Sequence, residues 1–265
     1  MIDIEDAFVV FYAGTPLERV ALRGVKFSVQ DGEVVSILGN NGSGRSTLLR
    51  FLAGHIQLNF GRLWYNKVDI TAQSLYSRSK IVSSVFFNNN VCTAGSLTVL
   101  ENLVLATLSH QPKSCVREAI RDDMEERFYA QLRNLNFMEM ENLLHEKVDN
   151  IPKPYKQVLA LLIAVIKGAK VLVIDEHSTG LDEEASHALL EATSKIIRSK
   201  KMTTIMVVND PEFALKHSDR LVVLNYGQVV ANISGEEKNN IKLEDLYMTF
   251  NKKPKISDKK MSVNV

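Results

Sequence analysis

Residues 36–49, SILGNNGSGRSTLL, hold the chain's strongest chemical signal, an apolar run ending in a glycine-rich loop that opens into a second apolar run. Such a loop turns successive backbone N–H groups inward at a helix N-terminus, where unpaired donors and the positive end of the macrodipole favour phosphate. The spacing fits the phosphate-loop pattern G-x-x-x-x-G-K-[ST] at Gly39, Gly44 and Ser46, but Arg45 stands where lysine is expected. Lysine there is a compact point charge and arginine a broad planar fork, so phosphate binding is expected to survive while placement of a transferred group suffers. The residues expected to hold the polyanion are Gly39, Asn40, Asn41, Gly42, Ser43, Gly44, Arg45, Ser46 and Thr47. Taken alone, the stretch also reads as a plain Gly/Ser/Asn turn between a strand and a helix.

A second set of groups lies far downstream. VLVIDEHS at 171–178 reads as a buried parallel strand with Asp175 and Glu176 at its carboxyl end, the edge where ligands bind in doubly wound sheets. Asp175 there can hold Mg²⁺ through water while Ser46 supplies a hydroxyl ligand, and Glu176 can polarise an attacking water. Paired acids at strand ends are common by chance; following the phosphate loop in this order makes the pair specific.

The elements that must position these groups are legible on either side. Residues 2–12 and 25–29 read as an antiparallel hairpin that feeds, through Asp31-Gly32, the buried strand VVSIL at 34–38. Phe11 and Tyr12 precede a Gly-Thr-Pro turn, so either could present a ring at the surface or be an ordinary strand aromatic. A helix over 47–53 stops at Gly54, strand residues at 61–71 surround an Asn-Lys turn, and a strand over 80–87 ends in three asparagines. Residues 97–144 are mainly helical, with a second helix from about 116. Pro152 and Pro154 break this run and hold the backbone extended, with the next helix at about 156–167. A helix over 183–199, a strand over 203–208, a short helix from Pro211 and a hairpin at 221–233 complete the core, and the lysine-rich stretch 252–260 reads as a frayed tail.

A chain of 265 residues suits one large domain or a domain with an inserted lobe. With 32 Lys+Arg against 31 Asp+Glu, nothing global points to nucleic acid or to a membrane surface. Cys92 and Cys115 form no metal-ligand spacing and read as reduced thiols of a cytosolic protein. The opening MIDIEDAFVVFY lacks a signal-peptide pattern, and the longest uncharged apolar run, 158–166, is too short for a bilayer. Service to a membrane process would be as a peripheral subunit.

Over about residues 3–232 the chain resembles the ATP-binding cassette ATPases, the motor subunits of membrane transporters. GNNGSGRST is similar to their Walker A loop, GRLWYNKVDIT to a paired-strand motif, and VLVIDEHSTGLD to Walker B, catalytic glutamate and D-loop, with Asp182 as the D-loop acid. Phe11 or Tyr12 resembles the aromatic that stacks on adenine. Three departures fall on catalytic positions: Phe87 stands for the Q-loop glutamine, residues 151–155 (IPKPY) for the signature LSGGQ, and Asn209 for the switch histidine. The resemblance implies an α/β P-loop NTPase fold with an antiparallel β subdomain. It places the cassette at 1–232, a helical subdomain inserted at about 88–166, and a C-terminal extension at 233–265. It further implies ATP and Mg²⁺ as cofactors, Ser46 and Asp175 as metal ligands, and Glu176, Asn209 and Phe87 at the catalytic positions. The implied partners are a transmembrane permease and a second cassette, the same chain or another, at the inner face of the cell membrane, with no nucleic acid. The altered positions imply weak or absent hydrolysis. Import is favoured over export, FYAGTPLERVALRGV and DEHSTGL resemble uptake ATPases suggested for aromatic amino acids, and the alternative is a non-catalytic scaffold docking a permease.

Overall fold

The structure is a computed structural model that describes residues 1–86, 92–108, 122–134, 138–175 and 180–251. Phe87, asparagines 88–90, Cys115, Glu176 and the stretch 252–260 lie outside the described residues.

Strands β1 (Ile2–Phe11) and β2 (Arg19–Val29) form an antiparallel hairpin, and β3 (Val34–Leu38) then leaves it for a second sheet. The first sheet is completed by β4 (Phe60–Tyr65) and β5 (Val68–Asp69), in the order β2-β1-β4-β5. The turn between β4 and β5 is Asn66-Lys67, both at positive φ, as their sequence suggests. The second sheet adds β6 (Val82–Phe86), β7 (Val171–Asp175), β8 (Thr203–Val207), β9 (Arg220–Asn225) and β10 (Gln228–Ser234), in the order β10-β9-β3-β8-β7-β6.

Every residue of β3, β7 and β8 is buried, which is why VVSIL, VLVID and TTIMV read as apolar runs without alternation. The parallel register sets Ile37 and Asp175 both opposite Val207, and Phe86 opposite Asp175. The carboxyl ends of these strands are therefore level. The loop after β3, Asp175 on β7 and Asn209 after β8 share one sheet edge.

Helix α1 (Arg45–Leu52) follows the loop and buries Leu48, Leu49, Phe51 and Leu52 in a cluster with Ile4, Ile37, Val173 and Val207. Its C-terminus is held by Arg78 of α2 (Leu75–Ser79), whose Nη1 donates to the carbonyls of Phe51 and Leu52 at 3.4 and 3.1 Å. The same guanidinium reaches the carbonyls of Ile70 and Thr71. A buried cation at the negative end of α1 thus ties that helix to the segment after β5 through main-chain acceptors.

The described helices of the middle stretch are α3 (Val99–Thr107), α4 (Asp122–Asn134), α5 (Met138–Glu141) and α6 (Lys153–Ile166). A reciprocal capping box of Thr98 and Glu101 starts α3. The start of α6 corrects the expectation of an extended backbone through residue 155. Pro152 is extended at the N-cap, with ψ 151°, but Lys153 and Pro154 are already helical. In a helix's first turn the missing proline N–H costs no intrahelical bond, so the second proline is tolerated there.

Helices α7 (Glu183–Lys200) and α8 (Pro211–His217) flank β8, and α9 (Gly235–Asn240) and α10 (Leu243–Phe250) follow β10. The sequence reading placed no elements in this C-terminal stretch. Leu246 of α10 is buried in a cluster with Leu38, the last residue before the loop, and Phe250 packs against it. Among the described residues no helix is long and apolar enough to cross a membrane.

Candidate functional site

The loop that leaves β3 is clamped from two sides. Ser43 N donates to Asn40 O at 3.1 Å, Gly227 N to Ser43 O at 2.9 Å, and Arg23 N to Gly227 O at 2.8 Å. The turn of the β9–β10 hairpin therefore holds the loop against β2. A side chain at Gly39, with φ +144°, would bring a Cβ within 2.1 Å of Leu224 O; at Gly44, with φ +102°, within 2.5 Å of Ala21 O. Both glycines are required by backbone conformation and by close approach of another main chain. The clamp by Gly227 escaped the sequence reading, although Tyr226-Gly227 carries the positive-φ turn signal of a hairpin.

Gly44 is the N-cap of α1, no side chain caps the first turn, and that turn contains no acidic residue. A helix start of this kind leaves backbone donors to an external acceptor. Ser43, with 3 % exposure, also carries a hydroxyl without a hydrogen-bond partner. Next to it, Ser46 Oγ donates to Asp175 Oδ1 at 3.2 Å, joining loop and strand β7. These groups fit a phosphate with its magnesium: a hydroxyl and a carboxylate are hard oxygen ligands, and Mg²⁺ takes its remaining oxygens from water and phosphate. Among the described residues no cluster of three or more His, Cys, Asp or Glu offers a protein-only metal cage.

Arg45 does not extend freely from the loop. It is 7 % exposed; its Nη1 donates to Asn209 Oδ1 at 3.0 Å and its Nη2 to Asn41 Oδ1 at 3.4 Å. The structure thus unites Arg45, Ser46, Asp175 and Asn209, drawn from three regions of the chain. Phe87 and Glu176, both expected at the site, lie outside the described residues.

The two candidate aromatics separate. Phe11 ends β1 and packs against the core beneath the sheet, whereas Tyr12 sits at φ +54° with 69 % exposure and offers its ring to solvent. The turn behind it is fixed by Thr15, whose N and Oγ1 both donate to Tyr12 O, at 3.1 and 2.7 Å.

The stretch IPKPY lies at the N-terminus of α6. Pro152 O accepts from Tyr155 N at 3.1 Å and from Lys156 N at 3.3 Å, and Pro154 has no N–H. Lys153 Nζ donates to Gly180 O at 3.1 Å, on the approach to α7. Asp182 caps α7, its Oδ1 accepting from Ala185 N at 2.8 Å.

Residues 22–179 match the family model described as ABC transporter. Among curated proteins, the chain is 34 % identical over 229 residues to the tyrosine transport ATP-binding protein of Clostridioides difficile, covering 85 % of this chain and 89 % of that one. It is 27 % identical over 247 residues to the phosphonates import ATP-binding protein PhnC of Escherichia coli strain K12, covering 89 % and 91 %. Among solved structures, an ADP-bound ATP-binding cassette of an ABC transporter, MJ1267, superposes with a TM-score of 0.72 at 24 % identity, covering 94 % of this chain and 98 % of that one. A dimeric cassette in a post-hydrolysis state with ADP and Pi, MJ0796, gives a TM-score of 0.72 at 21 % identity, covering 88 % and 98 %. These two likenesses speak to the fold, a P-loop NTPase of the cassette type. With the clamped loop, the Ser46–Asp175 pair and the family match over more than half of its length, the chain belongs to the ABC transporter family, as an ATP-binding cassette.

Proposed function

We propose that this chain is the ATP-binding subunit of an ABC importer, that it holds Mg–ATP at the loop after β3, and that it hydrolyses ATP slowly or not at all. The observation that carries the binding half is the Ser46 Oγ to Asp175 Oδ1 contact, 3.2 Å, at a helix start with no side-chain cap. In this reading the amides of residues 40–47 receive the phosphates, the Ser46 hydroxyl and the Asp175 carboxylate hold the cation, and Tyr12 stacks on the base. Bound Mg²⁺ would supply charge neutralisation on the phosphates. Glu176 orients water, with Phe87 and Asn209 at the positions where a glutamine and a histidine would assist it. Import and an aromatic amino acid cargo are supported by the likeness to the tyrosine transport protein. The partners are a transmembrane permease and a second cassette, this chain or another, with the chain at the cytoplasmic face of the membrane.

Weak hydrolysis follows from the chemistry of the altered positions. An asparagine can donate a hydrogen bond but takes up no proton and bears no positive charge, a phenylalanine offers no amide, and Pro154 removes a donor from the helix start that would face a neighbouring cassette's nucleotide. Loss of one preorganised donor slows a reaction by roughly 10²–10³, and losses within one unit do not multiply. The same residues favour a second reading, a scaffold that binds ATP without cutting it.

Phosphate release by wild type and Glu176→Gln separates the two. Slow release that falls further in the variant supports a sluggish ATPase, and equal release assigns the scaffold role. Brisk release by the purified chain alone contradicts both. Copurification with a permease supports the transport assignment, and its absence from detergent extracts opposes it.

A further inference from the structure

We infer that Arg19 binds the phosphates of the nucleotide from outside the loop after β3, as a second cation contributed by the hairpin that carries Tyr12; the inference rests on reading that loop as the ATP site. Arg19 is the first residue of β2 and pairs across the hairpin with Phe11, the last residue of β1. The turn between them is ordered, with Thr15 N donating to Tyr12 O at 3.1 Å and Glu18 N to Thr15 O at 3.0 Å. From there the side chain crosses to the loop: Nη2 stands 3.5 Å from the point that a Cβ on Gly42 would occupy. Gly42 is exposed, as is Arg19, so the guanidinium lies at the open side of the loop. The exposed ring of Tyr12 opens the same turn that Arg19 closes.

The surroundings leave this cation to an anion from solution. Among the described residues no hydrogen bond or ion pair engages the Arg19 guanidinium. The neighbouring carboxylate is committed to the turn, Glu18 Oε2 accepting from Gly14 N at 2.8 Å. Ser43, next to Gly42, is 3 % exposed and its hydroxyl has no hydrogen-bond partner, so the loop holds an unserved polar group beside the point that Arg19 reaches. Residues 39–47 contain no acidic side chain, and their cation, Arg45, is 7 % exposed. Arg45 is thus an inside cation and Arg19 an outside one. A guanidinium offers five donors in a planar fork that matches phosphate oxygens. Because Arg19 is exposed, its attraction is screened by salt and is modest in size.

The test is the dissociation constant at low salt for Mg–ATP and for Mg–tripolyphosphate, which has neither base nor sugar, in wild type, Arg19→Gln, Arg19→Lys and Lys26→Gln. Lys26 is an exposed cation further along β2, so its variant makes the same change in net charge at a different place on the strand. Arg19→Gln is expected to bind both ligands about tenfold more weakly, Arg19→Lys to fall between it and wild type, and Lys26→Gln to match wild type. Added salt should shrink the difference between wild type and Arg19→Gln. Wild-type affinity in Arg19→Gln, or an equal loss in Lys26→Gln, overturns the inference while leaving the ATP reading in place. A loss confined to Mg–ATP assigns Arg19 to the sugar or base and overturns it too. Absence of Mg–ATP binding by wild type overturns the ATP reading, and this inference with it.

Discussion

Two of the described helices that start without a side-chain cap, α1 and α6, face opposite chemical fates. At α1 the start is Gly44 in a left-handed conformation, preceded by a loop pinned between β2 and the β9–β10 turn. At α6 it is Pro152, with Pro154 two residues later, and Pro152 O already occupied by two amides. Both have the positive end of a helix dipole. One lets its donors reach an outside anion, while the other has removed or committed most of them. What distinguishes a receptor from a mere helix start is therefore the backbone that leads into it, not the dipole they share.

The comparison breaks most sharply at Gly39. Gly39→Ala sets a Cβ against Leu224 O and demands a φ that L-residues avoid, so the expected loss in urea denaturation is about 3 kcal/mol or more. Unchanged stability would mean that the loop is free to relax. Ser46→Ala is the next largest: Mg–ATP should bind about tenfold more weakly, and withdrawing Mg²⁺ should weaken wild type but not the variant. Identical Mg²⁺ dependence in both proteins would remove Ser46 from the metal site. Asp182 provides an ordinary capped start for reference. Asp182→Ala should cost about 1 kcal/mol in the same denaturation assay and Asp182→Asn much less, since asparagine caps as well. A loss equal in the two would point to a role for the charge. The smallest effect is at α6, where Pro152→Ser gains a cap and loses the entropic benefit of proline, for a net change of at most about 0.5 kcal/mol. A large destabilisation would show that Pro152 packs in a way the cap geometry does not account for.

Much of this arrangement is written locally. VVSIL, VLVID and TTIMV are runs that only a doubly covered strand buries in full, and the glycine spacing of 39–44 needs no partner to be read. Three features were not legible. The cost of proline depends on where in a helix it falls, so Pro152-Lys153-Pro154 looks like a break and is a beginning. The aromatic was left open between Phe11 and Tyr12 because β1 carries register shifts, one between Val9 and Val10, that upset strict alternation before the strand ends. Asn209 as the partner of Arg45 depends on the register of β3 and β8, which no local pattern reports. The helix α10 differs: Leu243, Leu246, Tyr247 and Phe250 have helical spacing, so this part of the C-terminal extension carries a local signal.

The most direct test of the α1 start as an anion receptor is the unfolding free energy of the whole chain titrated with Mg–ATP. A saturable gain that reaches about 2.7 kcal/mol at one hundred times the dissociation constant is the predicted result. No gain up to millimolar Mg–ATP would contradict it.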